Sequence, residues 1–188
     1  MAIKISDLEN ASFTYASQRT HRTFLEAKAA RQQTAFLSHS HKDAQLAKGL
    51  QVLLKQQGWD VYIDWEDSTM PETPDRQTAE KIQTKIRQCN WFLFLATPNS
   101  TVSRWCPWEI GYADGKKPLD SIFIIPTTDN SGKFYGNEYL QLYRRIDLGV
   151  VDRQGFERAE RLCAFRPNED RGPLLALLHI SDANILQM

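Results

Sequence analysis

The amino-acid sequence predicts an α/β fold in which a doubly wound, mainly parallel five-stranded sheet carries helices on both faces. Three observations lead there. From Thr34 onward, short apolar runs alternate with segments of helical period. The strongest run, Trp91-Phe92-Leu93-Phe94-Leu95-Ala96, is apolar at every position, as a strand covered on both faces must be. Polar clusters follow three successive runs, at Ser38-His39-Ser40, Asp64-Trp65-Glu66-Asp67 and Thr97-Pro98-Asn99-Ser100. In a parallel sheet such clusters converge outside the carboxyl ends of the strands.

Taken in order, residues 1–33 are polar and rich in Ala, Gln, Arg and Thr, and read as a flanking helix or arm. A helix over Ser17 to Gln33 would place Phe24, Leu25 and Lys28 near one face. The main domain is expected over residues 34–188. Thr34 to Ser38 is the first strand, and it stops at the polar cluster His39 to Asp43. Ala44, Leu46, Ala47, Leu50, Leu53 and Leu54 then follow a helical period as far as Gly58, a natural stop. Val61-Tyr62-Ile63 is the second strand, and a loop with Pro71 and Pro74 follows, since both prolines interrupt pairing.

Arg76 to Gln88 is an amphipathic helix with Ala79, Ile82 and Ile86 inward. After the central strand, Asn99 to Ala113 reads as a helix whose Pro107 lies in the first turn or interrupts it. Ile122 to Pro126 is a fourth strand and Ile146 to Val150 a shorter fifth, with a Leu-rich helix from Pro173 to Ile180 closing the domain.

Composition narrows the function classes. Lys plus Arg and Asp plus Glu both number 23 in the 188 residues, so no net charge favours nucleic acid or an anionic membrane as partner. Cys89, Cys106 and Cys163 are odd in number and lie far apart, which argues against a disulfide framework or a zinc site. The first residues lack a signal-peptide pattern, and no apolar run approaches the roughly 20 residues that span a bilayer. A reduced, cytoplasmic protein is expected. Neither GxGxxG nor GxxxxGK[ST] occurs, which disfavours Rossmann dehydrogenases and P-loop NTPases.

Glu109 is the leading candidate for chemistry. On a helix it stands one turn from Trp105, on the same face. A fixed carboxylate beside an indole suits cleavage of a nucleotide glycosidic bond, because it stabilises oxocarbenium charge developing on the ribose. A surface Glu one turn from an aromatic residue is also a common structural pairing.

Ser38, His39, Ser40 and His41 lack a nucleophile elbow. They suit a loop that offers hydroxyls and N–H groups to a phosphate or ribose, or one that caps the next helix. His39 and His41 have no metal-ligand partners at suitable spacing, and no metal is expected. Cys106 near a helix N-terminus is either a reactive thiol or a packed one. Trp65 among three acidic residues stacks on a base, mediates self-association, or sits in a solvated loop.

With these pieces in order, the chain resembles the TIR (Toll/interleukin-1 receptor) domain family, bacterial members in particular. Thr34 to Asp43 is similar to the family's first box, a strand running into an S-x-x-D loop. Trp59 to Asp64 is similar to its second strand, and Trp65 to Asp75 falls where the family has its BB loop. Phe94 to Ser100 with Ser103 to Glu109 is similar to the family's S-x-x-S-x-W-C-x-x-E segment, the most specific match.

The resemblance implies a flavodoxin-like sheet and an enzyme that cleaves NAD+ at the nicotinamide–ribose bond, with Glu109 catalytic. It implies Phe36, Ser38, His39, Trp65, Asn99, Ser100 and Trp105 as substrate-binding residues, and NAD+ as substrate with no separate cofactor. It also implies self-association through the BB loop, about residues 65–75. A short TIR protein of this kind resembles the signal-producing component of Thoeris-like antiphage defence. That likeness implies a cyclic ADP-ribose isomer as product and a separate effector that responds to it, while the residues leave capture by water, giving ADP-ribose, open. Two other readings compete: a non-enzymatic TIR adaptor acting by homotypic contact, and a nucleoside deoxyribosyltransferase-like enzyme.

Overall fold

The computed structural model describes residues 1–14, 24–29, 33–56, 60–62, 75–136, 138–153, 156–167 and 175–176. Its centre is a parallel sheet of five strands: β2 (Thr34–Ser38), β3 (Asp60–Tyr62), β4 (Trp91–Ala96), β5 (Ile122–Thr128) and β7 (Arg144–Arg153). They lie side by side in the order β3-β2-β4-β5-β7, every neighbouring pair parallel. The chain leaves β2 to one side to make β3, then returns to the other side to make β4. The strand order therefore reverses at β2, which makes the carboxyl ends of β2 and β4 the topological switch point of the sheet.

Helices cover both faces. On one face lie α1 (Ile5–Ser12) and α3 (Ala44–Gln56), and on the other lie α4 (Arg76–Gln88) and α6 (Cys106–Asp114). Side chains of a strand alternate between faces, so each central strand feeds two cores. Ala35 and Leu37, Leu93 and Leu95, and Phe123 and Ile125 enter the first; Phe36, Phe92 and Phe94, and Ile122 and Ile124 enter the second. Phe36 and Phe92 stack with ring centroids 5.9 Å apart. Each buried Leu, Ile or Phe of this set contributes roughly 1.5–3 kcal/mol by leaving water.

The sheet extends beyond the five strands expected. Among the described residues there are nine: β8 and β9 extend one edge, and β1 and β6 flank the end of β5. β1 (Ile3–Lys4) pairs parallel with the end of β5, and β6 (Phe134–Tyr135) pairs antiparallel with it. β7 runs ten residues rather than five because it forms a long antiparallel ribbon with β8 (Phe156–Phe165), whose polar side chains conceal the strand period in the sequence. β9 (Leu175–Ala176) pairs with β8, so these two residues are strand and not part of the expected closing helix. The rest of Pro173 to Ile180 lies outside the described residues.

The N-terminal residues pack against the sheet. Ile3 and Leu8 are fully buried in the first core, and α1 packs across α3 at Gly49. The expected helix over Ser17 to Gln33 is described only as α2 (Phe24–Ala29). In α4 the buried positions are Thr78, Ile82 and Ile86, with Ala79 half-buried. Thr78 turns inward because its hydroxyl and amide form a capping box with Asp75. No helix of the described residues is long and apolar enough to cross a membrane.

Candidate active site

The segment after β4 is not one helix. It comprises α5 (Pro98–Thr101), a break at Val102 to Trp105, and then α6. Local chemistry explains the break. Thr97 and Ser100 close a reciprocal capping box that starts α5, and Pro98 supplies the fixed φ of a first helical position. Ser103 then accepts the amides of Trp105 and Cys106 at 3.2 and 3.3 Å, which starts α6 afresh with Pro107 in its first turn.

This restart places Glu109 in the first turn of α6, where the positive end of the helix dipole favours a carboxylate. Its side chain is only 4% exposed. A carboxylate so enclosed requires donors. Ser38, the last residue of β2 and itself 1% exposed, donates its hydroxyl to Glu109 Oε2 at 2.5 Å. The strand alternation that sends Phe36 into the second core sends Ser38 to the same face, under α6.

A second clasp joins the same two rims. Asp43, buried in the 3-10 turn His41–Asp43, accepts the Thr97 hydroxyl at 2.5 Å and the Asn99 amide at 2.6 Å. Thr97 also accepts the Ser100 amide at 3.0 Å, so the loop after β2 and the turn after β4 form one connected hydrogen-bond network. Both carboxylate oxygens of Asp43 are engaged by these two donors.

The structure thus brings Ser38 and Glu109 into contact and ties Asn99 to the loop after β2. Ser100 is fully buried as a cap residue, and Phe36 lies in the core beneath, stacked on Phe92. His39 is buried with Nδ1 3.1 Å from the Leu37 carbonyl oxygen. Trp105 is half-buried, edge-to-face with Trp108 at 5.3 Å, and Trp108 stacks on Tyr112 at 6.0 Å. Cys106 is fully enclosed in the second core, which matches a packed thiol and not a reactive one. Trp65 and residues 65–74 of the expected BB loop lie outside the described residues.

The sequence placed Thr97 and Asp43 in the polar clusters after their strands without pairing them, and gave Ser103 only a place in a motif. The spacing Thr97-x-x-Ser100 was a readable capping signal. Nothing local announces that Asp43 reaches across to Thr97, 54 residues away. Among the described residues, no group of three or more His, Cys, Asp or Glu side chains is placed to hold a metal ion.

Known proteins share much of this chain. The family model described as "TIR domain" matches residues 35–163. A Bacillus cereus (strain MSX-D12) protein named "Probable 3' cyclic ADP-D-ribose synthase ThsB'" is 34% identical over 118 residues, covering 62% of this chain and 61% of the relative. A Cytobacillus dafuensis protein named "Putative cyclic ADP-D-ribose synthase TIR2" is 28% identical over 99 residues, covering 51% of this chain and 26% of its own length. The matches therefore span about three-fifths and about a quarter of these two relatives.

Proposed function

This chain belongs to the TIR domain family, and on that premise we propose that it cleaves NAD+ at the nicotinamide–ribose bond and closes the product into a cyclic ADP-ribose isomer. One observation carries the reading: a buried carboxylate, Glu109, held at the carboxyl rim of the sheet beside Trp105. The names of the two relatives support the cyclising outcome over hydrolysis.

In the proposed reaction the C1′–N bond breaks and its electron pair stays on the nicotinamide nitrogen. The leaving pyridinium becomes neutral, so no strong general acid is needed. C1′ is left electron-poor, and the Glu109 carboxylate stabilises that charge or accepts a ribose hydroxyl hydrogen bond. A hydroxyl of the same molecule then bonds to C1′ and loses its proton, or an adenine ring nitrogen bonds there and the adenine amino group loses one; capture by water instead yields ADP-ribose. Trp105 supplies an apolar wall that limits water. On this reading Phe36, Ser38, His39, Trp65, Asn99 and Ser100 belong to the NAD+ site.

The proposal extends to a cytoplasmic role as signal producer in antiphage defence, with a separate effector that reads the cyclic product. Self-association through residues 65–75 completes the working assembly. The test is incubation of purified protein with NAD+ over a range of protein concentrations, following nicotinamide and the mass of the second product. Nicotinamide release is expected to rise more than linearly with protein, with a product lighter than ADP-ribose by one water. Glu109→Gln is expected to lower the rate by at least about 10²-fold. Full activity in that variant rejects the assignment, and intact NAD+ at every concentration favours the adaptor.

A further inference from the structure

We propose that Ser38 is the positioning residue for Glu109 and not a contact of the substrate. The inference rests on the reading of Glu109 as the NAD+-cleaving carboxylate. It is carried by the single bond that joins two buried side chains from different layers of the fold, Ser38 of the sheet and Glu109 of the helix above it.

A glutamate has three side-chain torsions, and a helix alone leaves its carboxylate several rotamers. Stabilising a charge that develops at one carbon requires that carboxylate in one place, since a misplacement of about 1 Å forfeits roughly 10²-fold in rate. Ser38 meets the requirement. It ends β2, so its backbone is fixed by pairing with β4, where Ser38 is in register with Phe94. Its hydroxyl proton is directed at Glu109 Oε2 at 2.5 Å, the range of a charge-assisted O–H···O⁻ bond. A serine hydroxyl has one proton, and here it is committed to the carboxylate.

The neighbouring clasp makes the arrangement stiff. Asp43, five residues beyond Ser38, anchors the same loop to Thr97 and Asn99, so the loop after β2 is held to the segment carrying α6 at two points. Glu109 is thus oriented by the sheet before any substrate arrives, and rotation of its side chain requires breaking a bond buried from water.

Steady-state kinetics on Ser38→Ala test this, with wild type in parallel and urea unfolding of Ser38→Ala, Glu109→Gln and the double variant. A positioning role predicts kcat lower by roughly 10²-fold with KM nearly unchanged. It also predicts non-additive unfolding midpoints, because the two side chains share one bond. Ser38→Cys, near in size and a weak donor, is expected to show the same split and replaces Ser38→Ala should that variant not fold. A raised KM with kcat preserved makes Ser38 a substrate contact and overturns the proposal, as does an unchanged kcat. Wild-type protein that leaves NAD+ intact rejects the NAD+ reading and the positioning role with it. Non-additive midpoints would still stand in that case and separate the two failures.

Discussion

At the scale of single residues, the polar groups that matter are buried and each is answered by a named partner. Tyr143 shows how such a pairing responds to pH. Its hydroxyl donates to Asp114 Oδ1 at 2.9 Å, joining the segment before β7 to the end of α6. Burial, then that bond and the Asp114 charge, raise its phenol from 10.0 to about 12. A raised value means that the folded state holds the proton more tightly. The stability this contributes is fully present below about pH 10 and is lost as pH rises through about 12. Tyr143→Phe is therefore expected to have a lower urea midpoint than wild type below that window. The gap should close above it; a gap independent of pH would mean that packing and not the titrating hydroxyl carries the difference.

At this scale the spacing of Trp105 and Glu109 was legible, and it is realised as the Glu109 amide donating to the Trp105 carbonyl oxygen at 2.8 Å, because contacts four residues apart are set by local geometry. Ser38 as the partner of Glu109 was not, since the two are 71 residues apart and meet only through the strand order.

At the scale of elements, two glycines report on how closely helices sit. A Cβ on Gly49 of α3 would lie 1.9 Å from the Leu8 carbonyl oxygen of α1, a rigid backbone atom. Gly49→Ala is expected to lower stability by about 1–3 kcal/mol, the range for overpacking, despite the better helix propensity of alanine. Gly111 on α6 has nothing within 4 Å of the same position and is exposed. Gly111→Ala is expected to raise stability by about 0.5–1 kcal/mol. Chemical denaturation of both variants checks the pair, and equal signs would refute the close approach of α1 to α3. The period of α3 was plain in the sequence, whereas the reason for its glycine was not, because the crossing helix comes from residues that look like a polar arm.

At the scale of the whole molecule, β1 fills the sheet beside the end of β5 and α1 covers one face. Ile3 pairs with Thr127 in register and is buried, and Leu8 fills the first core beside Leu46 and Leu50. Deletion of residues 1–14 is expected to lower the urea midpoint clearly, since it uncovers both side chains' neighbours and the groove at Gly49. A truncated chain as stable as the full one would mean that the family-matched segment stands alone.

What the sequence by itself determined was the alternation of strands and helices, the central strand, and the four-residue spacing that sets the Glu109 amide on the Trp105 carbonyl at the start of α6. These follow from periodicity, turn residues and caps, which act over a few residues. Only the tertiary structure decided that the ribbon β7–β8 and the N-terminal segment belong to the sheet. It alone set Asp43 against Thr97 and Ser38 against Glu109. Those contacts depend on strand order, and strand order is chosen by the burial of two cores at once, a property of the whole chain that no local pattern carries.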